Sequence, residues 1–319
     1  MSRAEDRVGL ISNPGSGHNR DQFPALQDRI AHSQILHTVT RSAADIDSAL
    51  QELASSGVSI LGINGGDGTA SAILGRVLEG QFFDVLPSFV ILPGGTANMN
   101  AGDVGIGGGL RAAVTRFCDC ADRNLWHDAH AQRRHLLRLR TADGALHHGM
   151  FLGAGAILSG TAYAHEKIHS RGLRDDFSLA LGTARTVFGV VRGDPRFTQH
   201  QTISIQLGQD RLRTHHTLIL AISTLQRLAF GMRPFWGCEP GPLRMTLMEA
   251  GCTRFARTFL SIARGKPSSN AIPEQGYFSH NADAMTLSMT GDINLDGEIL
   301  SVHGEVYITA TPALTFLQL

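Results

Sequence analysis

Hydrophobic positions in the first third of the chain come in short dense runs separated by longer stretches of mixed character. Val8 to Ser12, Ile35 to Val39, Val58 to Ile63 and Phe89 to Leu92 are short, mostly apolar runs, with the length and texture of strands buried on both faces. Between them, Asp21 to Ala31, Ala43 to Ala54 and Ala70 to Leu78 repeat apolar residues at helical spacing and predict helices. Strand and helix alternate, which is the signature of βαβ units and a parallel sheet. Residues 1–122 are therefore expected to form a Rossmann-like α/β domain.

Beyond Leu125 the texture becomes strand-like. His135 to Arg140, His147 to Leu152, Thr202 to Leu207, His215 to Ser223, Met285 to Thr290 and Glu305 to Ala310 read as strands joined by turns rather than by crossover helices. One interruption, Asp175 to Val191, mixes Phe177, Leu179, Leu181, Val187, Phe188 and Val191 with small residues and predicts an amphipathic helix. Residues 123–319 are expected to form an antiparallel β domain, its last strand free to cross back to the first. No internal repeat or low-complexity tract breaks the pattern.

Composition narrows the partners. A chain of 319 residues with 42% hydrophobic content has the mass for two globular domains. Its 28 basic and 28 acidic residues cancel, so nothing draws the whole chain to nucleic acid or to an anionic bilayer. Any membrane contact must be local. Cys118, Cys120, Cys238 and Cys252 include no C-x-x-C pair and read as free thiols. The charged start has no apolar stretch behind it, and no segment reaches the roughly 20 apolar residues of a transmembrane helix. A cytoplasmic protein with at most peripheral membrane contact is expected.

Three glycine-rich loops end the predicted strands of the first domain: Asn13-Pro-Gly-Ser-Gly17, Gly65-Gly-Asp-Gly-Thr69 and Pro93-Gly-Gly-Thr-Ala-Asn98. Glycine lets the backbone approach a ligand closely, and successive N–H groups at a helix start form an anion nest. In a parallel α/β sheet all three loops fall at the carboxyl ends of the strands, where ligands bind. Asn13, Ser16, Gly17, Gly65, Gly66, Gly68, Thr69, Gly95, Thr96 and Asn98 are thus candidate phosphate contacts. Asp67 would repel phosphate unless a hard cation bridged the two, which implies Mg²⁺.

These loops resemble the diacylglycerol kinase catalytic superfamily, which includes bacterial lipid kinases, sphingosine kinases and ceramide kinases. The similarity continues into the second half with Leu295-Asp-Gly-Glu298, which looks like the catalytic Asp-Gly-Glu segment of that family. The resemblance implies an ATP-binding α/β domain, a C-terminal β-sandwich, and a lipid acceptor taken from a membrane surface. It implies ATP contacts at Thr40, at 66–72 with Asp67 among them, at Thr96 and at Glu298. It also implies that Asp296 is the catalytic base and that Asp128 joins Asp67 in holding Mg²⁺. The chain departs from the family in three places. It has Asn98-Met-Asn-Ala101 where bacterial relatives have Asn-Asp-Phe-Ala, Gly153-Ala-Gly-Ala156 for Gly-x-Asp-Ala, and Pro240-Gly-Pro-Leu-Arg-Met245 for a segment with paired aspartates.

Two other readings compete. His165-Glu-Lys-Ile-His169 matches the H-E-x-x-H pattern of zinc hydrolases, although Ser170-Arg-Gly172 would end the helix at once. Gly65-Gly-Asp-Gly68 is shared with NAD kinases, and Ser159-Gly-Thr-Ala-Tyr163 is faintly similar to their second glycine-threonine segment. The apolar segments 177–191 and 228–236 are candidates for contact with the lipid chain. Neither the acceptor lipid nor an oligomeric state is specified by these patterns.

Overall fold

The computed structural model describes residues 6–160, 189, 192, 194 and 200–319. The H-E-x-x-H segment and, apart from Gly189, the helix expected at 175–191 lie outside these residues. The chain divides into two compact units, Met1–Arg134 with Ala313–Leu319, and His135–Pro312.

In the first unit, strands β1 (Val8–Ser12), β2 (Ile35–Val39), β3 (Ile60–Gly65) and β4 (Ser88–Pro93) pair in parallel in the order β2-β1-β3-β4. Helices α1 (Asn19–Ala31), α2 (Ala44–Ser55) and α3 (Asp67–Glu79) connect them. Each helix buries one stripe. In α1 it is Phe23, Leu26 and Ile30, and in α3 it is Ala70, Ile73, Leu74 and Val77, the spacing that an amphipathic helix places on one face. After β4 come the single-turn α4 (Met99–Val104) and α5 (Leu110–Arg123), whose Phe117 meets Trp126 edge-on at 5.5 Å.

The sheet has two further strands, β5 (His130–Arg134) and β15 (Leu314–Gln318), the latter lying between β4 and β5. The unit therefore runs past the 122/123 division suggested by the pattern change, because β5 pairs along its length with β15 and stays in the first sheet. Asp103 of α4 fixes this edge. Its carboxylate accepts from buried Arg134 at 2.9 Å, and its carbonyl accepts from the Gln318 amide at 2.7 Å.

The second unit is antiparallel and β-rich. Strands β6 (Leu137–Thr141), β7 (Leu146–Gly149), β8 (Phe151–Gly155), β9 (Gln201–Leu207), β10 (Arg213–Ser223), β11 (Leu243–Glu249), β12 (Tyr277–Ala282), β13 (Ala284–Leu295) and β14 (Glu298–Ala310) form one nine-stranded network. The slot between β10 and β13 is shared: β8 fills one end and β9 the other. Alternate residues, among them Leu137, Leu152, Ile203, Leu220, Leu247, Leu287 and Val306, supply a single core, as the two-residue period of strands requires. Helix α6 (Phe255–Ala263) packs Phe255 and Ile262 into a smaller cluster with Met248 and Tyr277.

The expected strand His147 to Leu152 is two strands, because Met150 leaves the ladder. Its N–H donates to the Asp296 carboxylate, and its carbonyl accepts from the Ser223 hydroxyl and the Thr224 N–H. Among the described residues no helix is long and apolar enough to cross a membrane.

Candidate functional site

The three glycine loops interlock at the carboxyl ends of β1, β3 and β4. Buried Asn19, the first residue of α1, is the central tie: its amide donates to the carbonyls of Asn13 at 2.9 Å and Asn64 at 3.1 Å, while its N–H donates to the Gly94 carbonyl at 3.2 Å. The Ser16 hydroxyl bonds to the Asn13 carbonyl and reaches the Gly94 carbonyl at 3.2 Å, and the Asn13 amide donates to Thr69 Oγ1 at 3.0 Å. The second and third loops touch backbone to backbone. A Cβ on Gly95 would sit 2.3 Å from the Cα of Gly66, so only glycine permits that approach. Asn98 adopts φ 48° and closes the third loop by accepting from Gly95 N–H at 2.8 Å and donating to its carbonyl at 2.9 Å. Thr40 is buried just beyond β2, its N–H on the Ser12 carbonyl.

Helix α3 opens in the middle of these loops. The Ala70 N–H is bonded to the Gly66 carbonyl, so the N–H groups of Asp67, Gly68 and Thr69 precede the first intrahelical donor and carry the positive end of the helix dipole. Asp67 is turned the other way. Its carboxylate accepts from Met99 N–H at 3.1 Å and Asn100 N–H at 2.8 Å, the first two amides of α4. Burial pushes this carboxyl up from its ordinary value, and the two N–H donors oppose that rise. Asp67 thereby clamps the third loop to the second.

In the second unit, Asp296 and Gly297 form the two-residue turn between β13 and β14, with φ 48° and 96° and Leu295 paired to Glu298. Aspartate followed by glycine suits a hairpin turn with both central residues at positive φ. The Asp296 residue is buried, with 6% of its surface exposed. Its carboxylate accepts from Met150 N–H at 2.7 Å and Phe151 N–H at 3.0 Å, and its own N–H donates to the Phe151 carbonyl. Gly149 makes room for it, since a Cβ there would lie 2.9 Å from the aspartate Oδ2 and 2.4 Å from Leu295.

Residues 7–125 match the family model of the diacylglycerol kinase catalytic domain. The matched segment lies within the first unit. The match covers all three loops and the whole of α3 and α4. Among solved structures, a diacylglycerol kinase from Bacillus anthracis strain Sterne aligns over 99% of this chain and 97% of its own, with TM-score 0.61 and 16% identity. Two others from the same strain, provisionally named diacylglycerol kinases, align over 97% and 98% of this chain and 96% of their own, at TM-scores of 0.64 and 0.63 and 17% identity. At these identities the likeness is one of fold. No curated protein matches the chain.

Within the matched segment the structure brings together Asn13, Ser16, Gly17, Gly65, Gly66, Gly68, Thr69, Gly95, Thr96 and Asn98. Asp128 stands apart from the loops in chain position. It ends a 3-10 turn, its side chain is 72% exposed, and it lies 3.4 Å from His127. Glu298 is exposed at the start of β14, in the second unit. Asn19 and Asn64 were not foreseen. A buried asparagine at a strand end or a helix start has no signature of its own in the chain, and the ties they make appear only once the loops are folded together.

Proposed function

We propose that this chain is an ATP-dependent kinase that transfers the γ-phosphate to a hydroxyl of a lipid, with diacylglycerol, sphingoid bases and ceramide as the candidate acceptors. The observation that carries the reading is the interlocked set of loops over the start of α3, inside the segment that matches the diacylglycerol kinase catalytic domain.

The chemistry of the cradle suits a polyphosphate. The α3 amides and the loop backbone present donors and a positive dipole to anionic oxygens, and the Ser16, Thr69 and Thr96 hydroxyls lie in the same loops. Phosphoryl transfer asks the protein chiefly to position the phosphates and to receive the nucleophile's proton. Asp296 is assigned the second task. The Met150 and Phe151 amides aim its carboxylate.

Mg²⁺ bound with the nucleotide would neutralise charge on the phosphates. Each Asp67 oxygen accepts one backbone N–H group and keeps a second lone pair, so Asp67 could contribute a ligand to Mg²⁺ while still holding α4. The described residues contain no cluster of three or more histidine, cysteine, aspartate or glutamate side chains placed to hold a metal ion. Mg²⁺ commonly takes just one or two carboxylates when phosphates supply the other ligands, and exposed Asp128 is the side chain suited to that part.

The deciding experiment is incubation of the protein with γ-labelled ATP, Mg²⁺ and a total lipid extract, followed by identification of the labelled species. Label in a phosphorylated lipid alcohol, abolished by EDTA, is expected. Label confined to NADP⁺ when NAD⁺ is added, with none in lipid, would overturn the assignment.

A further inference from the structure

We propose that the outer face of α6, together with the loop 229–233, is a docking surface for an anionic lipid bilayer. Helix α6 buries Phe255, Thr258 and Ile262. Arg257, Leu260 and Arg264, with Arg254 at the helix start, are all exposed and recur at three- and four-residue spacing, which places them along one stripe of the helix. Leu260 is 47% exposed between two arginines. Exposed Lys266 follows two residues beyond Arg264.

The loop joins this stripe through its own backbone. The Arg233 N–H donates to the Ala263 carbonyl at 2.9 Å, and the Arg233 side chain packs where a Cβ on Gly265 would touch it. Three residues earlier, Phe230 is 55% exposed at φ 58° and ψ 21°. A bulky residue in the left-handed region is strained, and here the strained residue leaves more than half of its surface in water. Such an outlier points to a function.

The charge is one-sided. Arg233, Arg254, Arg257, Arg264 and Lys266 form no ion pair with any described residue, and no acid occurs in 225–238 or 250–273. The nearest acids along the chain are Glu249 and Glu274 around α6, and Glu239, which is paired with His280 at 2.6 Å. Against a chain of 28 basic and 28 acidic residues, this is a local cationic patch with an anionic counterpart. Leu260 and Phe230, apolar and exposed among the cations, favour a bilayer over nucleic acid: amphipathic helices at interfaces combine a basic face with apolar side chains that enter the headgroup layer. The surface is where the lipid of the proposed reaction would be met, but the docking inference does not rest on kinase activity.

The test is flotation of the full chain, without ATP, with vesicles of phosphatidylcholine alone or of phosphatidylcholine mixed with phosphatidylglycerol. Binding to the mixed vesicles only, weakening with added salt, is expected. Each basic side chain near an anionic surface is worth about fivefold in partitioning, so Arg257→Glu with Arg264→Glu should reduce binding by at least about 25-fold. Phe230→Gly relieves the left-handed strain, so it should melt no lower than the wild type while binding about tenfold more weakly. Equal partitioning to both vesicle types, no partitioning, unchanged binding by the charge-reversed protein, or tighter binding to duplex DNA than to the mixed vesicles would overturn the proposal. Phosphorylation of a water-soluble, short-chain alcohol should be the same in wild type and the charge-reversed protein. Its absence in both would count against the kinase reading and leave the vesicle result standing.

Discussion

Asp67 and Asp296 share one pattern of backbone hydrogen bonds and differ in the backbone that carries them. Each is buried, and each carboxylate accepts from the N–H groups of two consecutive residues, Met99 and Asn100 in one unit, Met150 and Phe151 in the other. Asp67 sits in regular helical backbone at the start of α3 and reaches across to hold a second loop. Asp296 sits in a left-handed turn and is held by a strand that breaks its own ladder to reach it. The difference teaches that an identical local bond pattern serves two ends. In the first unit the aspartate positions the backbone; in the second the backbone positions the aspartate.

The largest effect expected from breaking this comparison is at Asp296. Asp296→Asn keeps the shape of the side chain but cannot take a proton, so turnover should fall about 10²–10⁴-fold, equivalent to about 3–5 kcal/mol of barrier, with ATP affinity nearly unchanged. The amide also turns an NH₂ toward Met150 or Phe151, which should cost about 1–3 kcal/mol of stability in the second unit. Nucleotide titration, initial rates and thermal melts on one preparation separate these effects. Near wild-type turnover would return Asp296 to the role of a turn residue.

Asp67→Asn should show the converse. With one of its two acceptors lost, α4 and the third loop loosen, and ATP affinity should fall about tenfold, as expected for losing about 1.4 kcal/mol. Because this loss comes from the backbone clamp and not from a metal, it should persist when ATP is titrated in EDTA. A loss seen only in the presence of Mg²⁺ would instead make Asp67 a metal ligand.

A smaller effect sharpens the contrast through pH. His37, beneath the first loop, lies 3.0 Å from the Ser12 hydroxyl, and burial holds its imidazole below the ordinary value of 6.5. The unfolded chain therefore takes up the proton first. Stability from this group is complete above pH 6.5 and is lost as pH falls from there toward the folded-state value. His37→Phe should flatten the acid side of the melting profile by less than about 1 kcal/mol; an unchanged profile would show that the imidazole is not a source of that slope.

The parts of the molecule legible in the sequence were those governed by local pattern. Val8 to Ser12 and Ile35 to Val39 read off without error because short, mostly apolar runs flanked by polar residues leave few alternatives. Helix α5 carries an equally local pattern, with Leu110, Ala113, Val114, Phe117 and Ala121 buried at helical spacing, although it is not among the helices expected above. By contrast β5, His-Ala-Gln-Arg-Arg, and β12, Tyr-Phe-Ser-His-Asn-Ala, are edge strands rich in polar residues, and nothing local marks them. The glycine loops are visible in the sequence, but the Asp67 clamp depends on amides 32 and 33 residues away, and no spacing rule connects them.

Strand β15 gives the first sheet a dependence on time. Its pairing with β5 spans roughly 180 residues of chain. At about 5–20 residues added per second, β5 emerges from the ribosome roughly 10–35 seconds before the strand that separates it from β4. Through that interval the edge of β4 is open, with Phe89 lacking the Phe316 ring that later packs on it at 5.9 Å. The second unit is synthesised within the same interval, so the nascent chain carries an unfinished first sheet while its neighbour is made, and an open strand edge is a template for pairing with other chains.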